Sequence, residues 1–139
     1  MRTFILALGI VSILSFGCKD DKKNSAPNKM KTVMAVHDEV MPRMGEIGKL
    51  VAELKAKEDS TEVGMRYTAA RKELQEAHKG MMDWMQNFGN RFTPDEILND
   101  AALTDEKTKW LDEEEINVQK VADDINTSIA NAKRLLEQE

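Results

Sequence analysis

Three segments of this chain repeat apolar residues at spacings of three and four, and that repeat constrains the fold more than any other feature. The first runs Met30, Met34, His37, Met41, Met44, Ile47, Val51, Leu54. The second runs Tyr67, Ala70, Leu74, Ala77, Met81, Trp84, Phe88. The third runs Leu111, Val118, Val121, Ile125, Ser128, Ala132, Leu135, with Glu114 standing on its seam. Residues three or four apart return to the same helix face, so each segment is a narrow apolar stripe on an otherwise charged helix. Such a helix does not hold alone in water, because its stripe needs partners. No stretch alternates apolar and polar at period two for long enough to form a strand. The expected fold is all-α: an up-down-up three-helix bundle, made of a long antiparallel helical hairpin plus a third helix, over residues 30–139.

The punctuation of the sequence sets the expected boundaries at Met30 to Glu58, Ser60 to Phe88 and Asp105 to Leu136. Asp59 with Glu62 reads as a capping box opening the second helix, which Gly89 and Asn90 close. Thr93, Pro94 and Glu96 stand at the N-cap, first and third positions of a short connecting helix. Thr104 caps the third long helix. Pro42 interrupts the first, removing a backbone donor and crowding the carbonyl of Asp38.

Ahead of the bundle, "MRTFILALGIVSILSFG" carries Arg2, then an apolar run from Phe4 to Leu14, then small residues. These are the three regions of a secretory signal, and the run falls short of the roughly 20 residues of a membrane span. Residues 1–17 are expected to be a lipoprotein signal peptide. Ser15-Phe16-Gly17-Cys18 resembles a bacterial lipobox, although Leu14 sits four before the cysteine rather than three. Cys18, the single cysteine, becomes in this reading the acylated first residue, attaching the protein to a membrane. Residues 18–29, polar and broken by Pro27, read as a flexible, disordered tether. Lys19-Asp20-Asp21 resembles the export signal that sends Bacteroidetes lipoproteins to the outer face of the outer membrane.

Composition narrows function by exclusion. A formal net charge of −5 and 5% aromatic residues argue against nucleic-acid binding, which draws on clustered basic residues and stacking surfaces. No glycine-rich phosphate loop occurs. A di-iron bundle needs Glu three before each histidine, where this chain has Met34 and Gln75. The chain reads as non-enzymatic.

The remaining feature is a histidine–methionine layer. Folding the first two helices back about Asp59 brings His37 level with Met81, Met41 beside His78, and Met34 beside Trp84 and Met85. His37 and Met41 are four apart, as are His78 and Met82, so each pair shares a face. Imidazole and thioether together suit Cu(I), and the candidate ligands are His37, Met41, His78, Met82, Met34, Met81 and Met85. The alternative is a packed core layer without a cofactor, in which methionine fills gaps left by the kink at Pro42. In that reading the histidines bond a carboxylate, for which Glu114 is the candidate.

"VMAVHDEVMPRMGEIGKL" together with "AHKGMMDWMQNF" and "VADDINTSIANAKRLL" resembles a group of small Bacteroidetes lipoproteins often labelled viral A-type inclusion proteins. The resemblance covers most of the chain after Cys18 and implies a helical fold and an envelope location. It implies no activity. Two functions stand side by side: an interaction or structural module meeting an envelope protein partner, and a lipoprotein that binds copper.

Overall fold

The computed structural model describes residues 22–138; the signal segment, Cys18, Lys19, Asp20 and Asp21 lie outside the described residues. Among the described residues all regular structure is helical. The order is α1 (Lys22–Val40), a 3-10 turn (Met41–Arg43), α2 (Met44–Ala56), α3 (Glu62–Arg91), a short α4 (Pro94–Leu98) and α5 (Asp105–Leu136). The chain is an all-α helical bundle, and none of these helices is long and apolar enough to cross a membrane.

The expected tether is partly helix. α1 starts at Lys22, Ala26 is buried, and Lys29 pairs with Asp112 and, at 3.4 Å, with Glu115 on α5. A segment this polar has too little apolar surface to fold by itself; docking on α5 is what orders it.

Pro42 splits the expected first helix in two. It sits at the start of the 3-10 turn, where its missing N–H leaves no bond unmade. A 3-10 turn winds at 3.0 residues rather than 3.6 and rises about 2.0 Å per residue instead of about 1.5 Å. The buried line nonetheless keeps its seven-residue spacing across it, through Val33, Val40, Ile47 and Leu54. In α1 it comprises Met30, Val33 and Val40, and in α2 Ile47, Leu50 and Leu54. Met34, His37, Met41, Met44 and Val51, expected on the seam, lie half-buried at its flank.

α3 buries every residue of its expected stripe. Its cap differs from expectation: Thr61, not Asp59, is the N-cap, accepting from the Gly64 amide at 3.0 Å. The Asp59 carboxylate instead accepts from the Thr61 amide at 2.8 Å and from its hydroxyl. At the other end α3 passes Gly89 and Asn90 and continues to Arg91, because Phe88 and Phe92 are both buried and tie that turn to the core. Thr93 and Glu96 form the expected capping box on α4, with bonds of 3.4 and 2.8 Å. Thr104 caps α5.

The helices share one core. α5 supplies Leu111, Val118, Ile125 and Ile129, all fully buried, and lies against α1 and α3, while α2 lies against α3. Arg43 reaches Asn126, and the separation of that pair, 83 residues, equals that of Lys29 and Asp112. Between α3 and α5 Trp84 meets Glu114, and Arg66 meets Gln138 just past the end of α5. Glu114 and Ser128 are buried and polar, and among the described residues no buried side-chain N or O atom lacks a partner.

Candidate functional site

His37 stands in the last turn of α1, its side chain 15% exposed. One ring nitrogen, Nδ1, donates to the Asp38 carboxylate at 2.9 Å, and the other, Nε2, lies 3.3 Å from the sulfur of Met85 on α3. The imidazole is tilted against the Trp84 ring, centroids 5.7 Å apart. Trp84 stacks in turn on Phe88 at 4.9 Å, and Phe88 is tilted against Phe92 at 4.8 Å, an aromatic row at the end of α3.

α5 fixes the indole from behind. Trp84 Nε1–H donates to Glu114 at 2.8 Å, and Arg91 donates to the other carboxylate oxygen at 2.9 Å. Arg91 also reaches Glu113 at 2.8 Å and covers the Trp110 ring at 5.5 Å. The site thus joins α1, α3 and α5, with Trp84 shared between the imidazole and the buried carboxylate.

The expected layer is only partly assembled. His37 meets Met85, not Met81. Met34 and Met41, one turn to either side of His37, are half-buried beside it. Met81 is fully buried in the core, and Met82 is 37% exposed. His78 is exposed, seven residues from Met85 on α3 and so about 10 Å away along the axis. It makes no contact with His37, so the two histidines do not share a layer. Glu114, expected to bond a histidine, is taken by Trp84 and Arg91, and the carboxylate that orients His37 is its own neighbour Asp38.

Asp38 escaped sequence reasoning for a geometric reason. Helical neighbours at i and i+1 do not normally face each other, so rules of spacing pass over such a pair. The adjacent letters His and Asp were the available signal.

Chemically the pair is soft. Among the described residues no group of three or more His, Cys, Asp or Glu side chains is gathered to hold a metal. The donors that converge are instead one imidazole and one thioether, with further thioethers close by, a set that favours soft cations over hard ones. Compared with protein-family models, with curated proteins and with solved structures, the chain matches none.

Proposed function

We propose that this chain is a lipoprotein of the bacterial cell envelope, related to the small Bacteroidetes lipoproteins it resembles and serving as a non-enzymatic interaction module. In this reading Cys18 carries the lipid, Lys19, Asp20 and Asp21 direct it to the outer membrane and the cell surface, and the mature part is an up-down-up three-helix bundle. The bundle topology is supported by the contact register. Pairs from α1 and the 3-10 turn to α5 keep one separation, 83 residues, as in parallel neighbours. From α3 to α5, Trp84 pairs with Glu114 and Arg66 with Gln138, so a lower number meets a higher one, as in antiparallel neighbours.

The observation that carries the interaction reading is the apolar surface at the end where α1 begins. A cleft of about 650 Å³ opens there between α1 and the segment linking α4 to α5, floored by Ala26, Pro27, Met30 and Leu103. Beside it Leu98 is 75% exposed, and Ala101 and Ala102 are exposed as well. Most of the acidic rim is already neutralised: Lys29 holds Asp112, Lys31 holds Asp100 at 3.0 Å, and Lys107 holds Glu96 at 2.6 Å. Apolar contact is then the selecting chemistry, and the occupant is an apolar segment of a second protein held at the same membrane. The cleft lies a few residues beyond Cys18, within reach of such a neighbour.

A photo-cross-linking residue at Leu98, compared in intact cells with one at Ile116 on α5, tests this. One adduct of defined mass at position 98, lost on adding Ala102→Arg and on adding Cys18→Ala, is the expected result. Equal labelling at both positions, or none at 98, rejects the docking surface. Normal processing and unchanged membrane partitioning of Cys18→Ala reject the anchor.

A further inference from the structure

Asp38 and Met85 place opposite demands on the His37 imidazole. A carboxylate only accepts hydrogen bonds, so the 2.9 Å contact to Asp38 puts the ring proton on Nδ1. In the neutral ring Nε2 then carries a lone pair, and what it faces at 3.3 Å is the Met85 thioether sulfur, also a lone-pair donor. The two bare donors point at each other across a half-buried gap. An imidazolium would aim its second N–H at a thioether, a weak acceptor. A cation bound by both, seated beside the line that joins them, satisfies both.

We propose that His37 Nε2 and Met85 Sδ are the first ligands of a binding site for a soft monovalent cation, Cu(I). Asp38 is the outer carboxylate that fixes the ring's tautomer and orientation, the arrangement common behind metal-bound imidazoles. The distance suits a metal seated beside the line joining the two atoms, toward which a small rotation of each side chain turns its lone pair. With metal–nitrogen near 2.0 Å and metal–sulfur near 2.3 Å, ligand atoms 3.3 Å apart subtend roughly 100° at the metal, close to tetrahedral. Met34 and Met41 share the face of His37, three before it and four after, and are the thioethers placed to complete the shell. The Trp84 ring lies against the imidazole, centroids 5.7 Å apart, close enough for bound copper to quench its fluorescence. The residual exposure of His37 gives an entry path. Sulfur and nitrogen without carboxylate ligands select Cu(I) against Mg(II) or Ca(II). This site is separate from the cleft near Leu98, and neither proposal depends on the other.

The test uses the detergent-solubilised full chain carrying Cys18→Ser, so that no thiol competes, titrated anaerobically with Cu(I) against bicinchoninate. The expected result is uptake of a single equivalent with quenching of tryptophan fluorescence. His37→Leu and Met85→Leu should each abolish it. Asp38→Asn should weaken affinity about 10- to 100-fold, and the double change Met34→Leu/Met41→Leu should lower it further than either alone. His78→Leu should bind like the parent, with circular dichroism confirming that every variant is folded. X-ray absorption of the parent complex, which needs no variant, should show both nitrogen and sulfur bound to copper. No uptake by the parent, uptake surviving both His37→Leu and Met85→Leu, dependence on His78, or a first shell lacking either nitrogen or sulfur would each overturn the proposal.

Discussion

The Trp84 indole N–H donates to the Glu114 carboxylate at 2.8 Å inside the core, and only 3% of Glu114 is exposed. A carboxylate on a buried seam destabilises a bundle unless its lone pairs are taken, and here Trp84 and Arg91 take both oxygens. Removing it reverses the problem and orphans the indole N–H. Glu114→Ala should therefore destabilise the fold by about 2–3 kcal/mol, whereas Glu114→Gln, which keeps an acceptor for Trp84, should stay within about 1 kcal/mol. Arg91 softens both losses because it retains Glu113. Urea midpoints of the two variants decide: equal stability of Ala and Gln would mean that the indole bond contributes nothing.

The turn before α3 makes a second prediction. A methyl group on Gly64 would lie 2.5 and 2.7 Å from the backbone N and O of Asp59, whereas one on Gly80 meets nothing within 4 Å. Backbone cannot swing aside as a side chain can, so Gly64→Ala should lose about 1–3 kcal/mol. Gly80→Ala, in the middle of a long helix, should gain about 0.5–1 kcal/mol. Thr61→Ala, which removes the N-cap bond to Gly64, should lose about 1 kcal/mol. Thermal melts in which the two glycine variants shift in the same direction would contradict this account of the turn.

How much of this was legible in the sequence varied with the element. The stripe from Tyr67 to Phe88 could be read in full because α3 is an unbroken α-helix, and a constant period makes spacing equivalent to facing. Pro42 was legible as an interruption but not as a 3-10 turn. The buried line runs through Val33 and Val40, one residue before Met34 and Met41, so those methionines and His37 lie at its flank. His78 shares the helical spacing of a core residue yet is exposed, because in α3 the line through Ala77, Met81 and Trp84 takes the partner helices. The order in 22–28 was hidden because it comes from α5, through Lys29 and Asp112, and no local pattern encodes it. For the site, the histidine–methionine chemistry was visible, while its geometry depended on which methionine of α3 meets His37 and on a neighbour, Asp38.

Acid should unfold the protein through a small set of carboxylates. Burial raises the Glu96 carboxyl, but Lys107 and the Thr93 amide and hydroxyl together hold it below its ordinary 4.5. The Lys133 ammonium does the same for Glu46 against the pull of burial, with Arg43 adding to it, and the Thr61 hydroxyl and amide do so for Asp59. Groups that bind protons less readily folded than unfolded contribute stability that is present above the unfolded value and lost as pH falls through the folded one. Lys29 behaves oppositely. Asp112 raises it above 10.5, against burial and with help from Glu115, so its contribution is full below that value and is lost as pH rises through the folded one. Through these carboxylates stability should fall below about pH 4.5. Glu96→Gln should lower the plateau and flatten the acid arm, since its side chain is the least exposed of the three carboxylates. Melting temperatures from pH 2 to 7 check this, and an unchanged acid arm in Glu96→Gln would assign acid unfolding elsewhere.

His37→Leu separates packing from binding in one variant. The imidazole touches Trp84, an apolar contact that leucine keeps, and its one conventional hydrogen bond goes to Asp38, whose side chain is 72% exposed and can turn to water. Nothing buried is orphaned by the change, so the metal-free variant should match the parent within about 0.5 kcal/mol. A ligand that binds only the folded state raises stability with concentration, by about 2.7 kcal/mol at a hundred times its Kd. The parent should therefore gain in Tm on adding Ag(I), a redox-inert stand-in for Cu(I), and His37→Leu should gain nothing. Met85→Leu should behave alike, because it removes the sulfur but keeps the packing volume. If His37→Leu were strongly destabilised without metal, the imidazole would be a structural group. If the variant rose in Tm with Ag(I) as far as the parent, the cation would be bound elsewhere, and the contact between Nε2 and the Met85 sulfur would be packing alone.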